Sequence, residues 1–234
     1  MKKSFRGCFS AAVVGLSLAF SATAVHAAEE AQNYLLATAS TGGTYYPVGV
    51  ALATLTKVKI QPKHKSGMSA INSAGSGENV KLLRDNAAQF AILQGLYGSY
   101  AWNGTGPIEE SGKQGHLRSV TMLWQNVEQF VVANEFAMTG TIDDLKGMND
   151  QAMAFGKKNS GTIGSNRKIL ANLGIDMDAS YELLHAGYTP SAEALQDGRV
   201  AGVGIPAGVP TGAITKLFAS AADKVTPLNF TAEQ

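Results

Sequence analysis

Short apolar runs, separated by turns of small residues, set the pattern of this chain. The runs at residues 34–37, 89–93, 119–124, 129–133, 152–156, 181–185, 200–205 and 225–228 have strand length and read as buried strands. Longer stretches with one apolar side predict helices over 48–55, 78–85, 166–173, 191–197 and 213–221, with a shorter one over 97–102. Residues 141–147 read as a short helix, with Asp143 and Asp144 in its first turn and Gly147 as its stop. Ser76 is the expected N-cap of the helix over 78–85. Residues 58–66 look like an exposed edge strand, and residues 108–116 like a polar loop.

Strands therefore alternate with helices twice over, through short connections. That order predicts an α/β fold with mostly parallel sheets. A change of composition near residues 117–133 divides the chain into two lobes. The expected layout is a first lobe over 28–122, a crossing or hinge segment over 123–133 and a second lobe over 134–226. Residues 227–234 would begin a return crossing.

Three of the strand-to-helix turns share one composition. The first is Ala39-Ser40-Thr41-Gly42-Gly43-Thr44-Tyr45-Tyr46-Pro47-Val48-Gly49. The second spans residues 70–79 and includes Gly75-Ser76-Gly77. The third is Lys157-Lys158-Asn159-Ser160-Gly161-Thr162-Ile163-Gly164-Ser165. Glycine lets backbone approach a ligand, and the N–H groups that open a helix attract anions. Such turns hold a carboxylate without Arg or Lys. Each alone is also what a plain strand-to-helix connection uses. Together they fall at strand C-terminal ends, where α/β proteins bind ligands. None is a phosphate-binding P-loop, since no Lys-Ser or Lys-Thr follows the glycines, and the three-glycine dinucleotide spacing is missing.

The 234-residue chain is 45% hydrophobic and 16% charged, which fits a folded globular protein. Its formal net charge of +1 gives no footprint for nucleic acid. Lys2, Lys3 and Arg6 precede an apolar stretch over 11–20, and Val25-His26-Ala27 offers a cleavage site. Residues 1–27 thus read as a secretory signal peptide. Its removal takes away three positive charges and no negative ones, so the net charge falls from +1 to −2. The only cysteine, Cys8, leaves with it. A periplasmic, exported protein is the expectation.

Chemistry of other kinds finds little support. His64, His116 and His185 do not stand at metal-ligand spacing, so no metal and no cofactor are expected. Gly75-Ser76-Gly77 lacks the spacing of a nucleophile elbow. Glu109-Glu110 and Asp143-Asp144 fall in a loop and a helix start, without an apolar setting to raise a pKa. Lys157-Lys158 attracts anions or is simply exposed. No catalytic set emerges.

At residues 40–49 the sequence resembles the TAXI-type solute receptors of tripartite ATP-independent periplasmic (TRAP) transporters. Further matches follow in order: residues 73–83, Phe90 to Gln94, Leu123 to Val131, Ile142-Asp143-Asp144-Leu145-Lys146-Gly147, Gly156 with Ser160-Gly161-Thr162, and Ala192 to Gly198 followed by Ala207-Gly208-Val209-Pro210. Two features depart from that family. Val200-Ala201-Gly202-Val203-Gly204 replaces an Asp-Ala and aromatics, and Gln129 stands where His is frequent. The chain resembles a member shortened at its C-terminus. The resemblance implies a two-lobed periplasmic-binding-protein-like fold with a hinge. It implies a monomer that captures a small carboxylate (glutamate, glutamine or a dicarboxylate such as 2-oxoglutarate) for a TRAP-type membrane permease. Thr41, Gly42, Gly43, Thr44 and Tyr45 would hold one carboxylate, Ser76 and Gln94 would assist, and Ser160, Gly161 and Thr162 would cap it from the second lobe. Tyr188 and Gly208 complete the expected site. Two other readings remain: an exported α/β hydrolase or transferase using Ser76 or Ser160, and a truncated fragment that binds nothing.

Overall fold

A computed structural model describes residues 30–232. The expected signal segment, residues 1–27, lies outside the described residues. Strand β1 (Gln32–Ala37) starts exposed and ends buried, and it forms the middle of a three-stranded sheet. It pairs in parallel with β2 (Ser66–Ile71), Gln32 opposite Ser66, and with β3 (Phe90–Ala91). Helix α1 (Tyr45–Leu55) follows β1, while α3 (Ser76–Arg84) and α4 (Gly95–Asn103) follow β2 and β3.

Residues 58–66 depart from the expected edge strand. Thr56–Ile60 form a π-helical turn that runs from α1 into α2 (Gln61–His64), and α2 ends at Lys65 in left-handed backbone. The Gln61 N–H bonds the Thr56 carbonyl, one residue beyond the α pattern. The alternation of Lys57-Val58-Lys59-Ile60 has no core to bury its apolar side, so all four residues stay exposed and helix simply propagates.

The second sheet has five strands in the order β6-β5-β7-β4-β8. They are β4 (Phe130–Ala133), β5 (Ala152–Ala154), β6 (Glu182–Leu183), β7 (Gly202–Gly204) and β8 (Val225–Leu228). β5 is parallel to β6 and β7, whereas β4 runs antiparallel to β7 and β8. β4 is buried on both faces, which explains its unbroken apolar run. Phe130 and Val132 join a core with Met153, Phe155, Leu170 and Tyr181. Val131 faces the other way, onto Val203, Leu195 and Leu217. Helices α5 (Gly161–Asn172), α6 (Met177–Ser180), α7 (Tyr188–Gln196) and α8 (Gly212–Ala221) pack on this sheet. The first sheet is thus all parallel, as the alternation of elements predicted, while the second is mixed, with β4 running against both of its neighbours.

Residues 119–124 were expected as a strand and form none. No strand among the described residues pairs with them, and Val120 and Met122 stand 80% and 89% exposed. An apolar run becomes a strand only where a neighbouring edge takes its backbone groups. Among the described residues, no helix is long and apolar enough to cross a membrane.

A cleft where five helices begin

The C-terminal ends of the strands turn toward one cleft, lined by Ser40, Gly43, Thr44, Tyr45, Gly75 and Ser76 from one side and by Gly161, Thr162, Tyr188 and Pro206 from the other, with Gln94 between them. Five helices start there: α1 at Tyr45, α3 at Ser76, α4 at Gly95, α5 at Gly161 and α7 at Tyr188. Ser160 caps α5, its Oγ accepting from the Ile163 N–H at 3.1 Å. The other four have no side-chain cap. Thr44 stands at the cap position of α1, yet its Oγ1 accepts from the Gly208 N–H at 3.1 Å instead. Five helix N-termini, each carrying partial positive charge, therefore converge on one place. Among the described residues, no Lys or Arg lines the cleft.

The two sides meet closely. The Tyr97 hydroxyl donates to the Ser160 carbonyl at 3.0 Å, the Glu78 N–H to the Asn159 carbonyl at 2.9 Å, and the Ala213 N–H to the Gly42 carbonyl at 3.1 Å. Glycine makes this approach possible. A Cβ on Gly43 would lie 2.9 Å from the Tyr188 ring, and one on Gly161 would lie 2.5 Å from Gln94 Oε1. With its open mouth the cleft measures about 360 Å³, but its interior holds only on the order of one or two water molecules. The cleft is nearly filled by its own walls.

Tyr188 is the wall between the sides. Its hydroxyl donates to the Pro206 carbonyl at 2.6 Å and pairs with Thr162 Oγ1 at 2.8 Å. Burial pushes its pKa well above the ordinary phenol value, so it stays neutral. Burial also raises Tyr45, whose ring meets Trp124 edge-on. Behind the cleft, Asn79 joins three segments. Its Nδ2 donates to the Thr38 carbonyl at 2.7 Å and the Ile92 carbonyl at 2.9 Å, and its Oδ1 accepts from Ser73 at 2.7 Å.

Eight of the twelve residues expected from the sequence line the cleft: Gly43, Thr44, Tyr45, Ser76, Gln94, Gly161, Thr162 and Tyr188. Four do not. Thr41 is exposed at the outside of its turn. Gly42 lies against Thr189 and accepts from Ala213. The Ser160 hydroxyl is occupied by the cap and by the Lys157 carbonyl. Gly208 faces Trp124 and Thr44. Ser76 is not a cap: Gly75 holds that position, at φ 122, and Ser76 opens the helix. The Gly43 N–H, one of the expected donors, is already bonded to the Ser40 carbonyl at 3.0 Å. Sequence reasoning missed Pro206, which carries no local motif. The acidic pair Asp143-Asp144 serves its own turn: Asp143 pairs with Lys146, and Asp144 accepts from the Thr139 and Gly140 N–H groups. Among the described residues, no cluster of His, Cys, Asp and Glu has the makings of a metal site.

This arrangement of two α/β sheets about a cleft is the fold of the periplasmic solute-binding proteins. Residues 36–234 match the NMT1-like family, and the chain belongs to it. Solved structures share the fold at low identity. The binding-protein component of a phosphonate ABC transporter from Pseudomonas aeruginosa superposes with a TM-score of 0.56 at 10% identity, over 85% of this chain and 65% of that one. A Streptococcus mutans structure from work on glutathione import via GshT gives 0.54 at 12%, over 88% and 79%. The alkanesulfonate-binding protein SsuA from Xanthomonas axonopodis pv. citri, bound to MOPS, gives 0.52 at 15%, over 86% and 61%. The chain thus spans less than two thirds of the length of the sulfonate- and phosphonate-transport proteins it matches.

Proposed function

We propose that the protein is an extracytoplasmic solute-binding protein that captures a small carboxylate in the cleft and delivers it to a TRAP-type secondary transporter. The observation that carries this reading is the convergence of five helix N-termini, four of them without a side-chain cap, on a cleft with no Lys or Arg in its wall. Such a site suits an anion. The solved structures that share the fold include binding proteins of phosphonate and sulfonate transport, whose ligand classes are also anionic. The TAXI resemblance of residues 40–49 supplies the carboxylate and the TRAP permease.

The mechanism is closure of two lobes, 28–122 and 134–226, about the crossing segment 123–133. A ligand that touches both sides only when they meet shifts the population toward the shut form. Thr44, Tyr45, Ser76, Gly161 and Thr162 would surround the carboxylate. A hydrolase or transferase gains no support, since the Ser76 hydroxyl accepts from the Gln94 N–H and the Ser160 hydroxyl caps a helix.

Thermal melting against a panel of amino acids and dicarboxylates tests the proposal. A ligand at a hundred times its dissociation constant adds about 2.7 kcal/mol, a rise of roughly 5–10 °C for a chain of this size. The direct hydrogen bonds across the cleft favour a second reading, in which the cleft stays shut and binds nothing. A cooperative melt that no acid shifts would select it.

A further inference from the structure

We infer that Glu128 recognises a protonated nitrogen on the ligand, so that the cleft takes an amino acid in preference to an acid without an amino group. The inference rests on the carboxylate reading above and narrows it.

Glu128 lies in the segment that leads into β4. Val127 bridges Ala207 in antiparallel fashion and Phe130 stands opposite Gly204, a register that puts Glu128 opposite Pro206. Directly opposed residues of an antiparallel pair share a face, and Pro206 lines the cleft. The Glu128 carboxylate opposes ionisation of both Tyr45 and Tyr188, so it is within electrostatic reach of the two cleft tyrosines. Its Oε2 is buried and has no hydrogen-bond partner. Gln94 Oε1, in the cleft wall, is in the same condition. Both atoms are acceptors, and a buried acceptor without a donor is destabilising. What they lack is an N–H group.

The polarity of the cleft follows. Helix N-termini offer donors to an anion. Glu128 supplies the opposite charge. An α-amino acid answers both demands with adjacent groups. A dicarboxylate would bring a second anion toward Glu128. Without a cation, burial pushes the Glu128 carboxyl up to about 7. An arriving ammonium favours the charged form and displaces that proton.

Titration calorimetry of the full-length protein near pH 7.5 tests this, with matched pairs: L-glutamate against glutarate, and L-alanine against propionate. The wild type should bind the better amino acid about tenfold or more tighter than its des-amino partner, the size expected of a hydrogen bond to a charged group. Glu128→Gln should weaken the amino acid and bring the ratio to about one. Proton release, read in buffers of different ionisation enthalpy, should accompany binding in the wild type and vanish in the variant. Equal or better binding of the des-amino acid by the wild type overturns the inference, as does an unchanged ratio in a folded variant. The wild-type ratio decides the matter even if the variant does not fold. Binding of neither class defeats the carboxylate reading itself, an outcome distinct from the loss of preference.

Discussion

The Tyr97 hydroxyl donates to the carbonyl of Ser160 at 3.0 Å, and this bond ties the helix that follows β3 to the cap of α5 on the opposite side of the cleft. Both groups are buried, so the bond has no competing water. Tyr97→Phe should leave each sheet intact and weaken the shut form. The expected loss is about 1 kcal/mol, or roughly 2–4 °C in melting temperature. Small-angle scattering should show a larger radius of gyration, and ligand affinity should fall with the shut fraction.

Gly43 gives a sharper test of the cleft. A Cβ there would meet the Tyr188 ring at 2.9 Å, and Gly43 itself lies in the turn before α1, outside any helix or strand. Gly43→Val should abolish binding while the protein still melts cooperatively. Undiminished affinity would remove this turn from the site.

Asn79 holds the ends of β1 and β3 and the turn before α3 by three hydrogen bonds under 3 Å. Asn79→Ala takes this donor from the Ile92 carbonyl, whereas the Thr38 carbonyl keeps the Ser73 hydroxyl at 2.9 Å, and with the lost Ser73 bond the cost is about 2–4 kcal/mol. Thermal denaturation should show a drop of roughly 5–15 °C. A change within 1 °C would mean that water replaces the amide.

Glu128 predicts a pH dependence. Burial raises its folded pKa to about 7 from an ordinary 4.5. Between those values the folded chain binds more protons than the unfolded one, so stability falls as pH rises through this window. Below it Glu128 is neutral in both states and destabilises nothing. Glu128→Gln should therefore match the wild type near pH 4.5 and exceed it above pH 7. Denaturant unfolding at a series of pH values measures the difference, which should flatten beyond pH 8.

Much of this was legible in the residues. The turn at Gly42-Gly43 sits between an apolar strand and a helix, and both elements formed where their patterns predicted. Glycine and hydroxyl residues betray a close approach because few other side chains fit one. The misses have physical reasons. The pattern of residues 119–124 suits a strand, but a strand needs an edge to pair with, and no local sequence encodes that partner. Lys57-Val58-Lys59-Ile60 alternates like a strand and continues a helix, because alternation matters only where one face is buried. Ser76 is a good cap by composition, yet Gly75 adopts the backbone the cap position required here. Glu128 became visible only through β4, whose antiparallel pairing sets it across from Pro206. A lone glutamate in a crossing segment carries no motif.

The cleft wall contains no formal positive charge, only backbone dipoles locked into place when the helices form. Mobile ions gather around exposed lysines and blunt them, but they screen far less the dipoles that point into a covered cleft. Grip on a captured anion should then depend little on ionic strength, and a cell could move between fresh and salty surroundings without its receptor letting go.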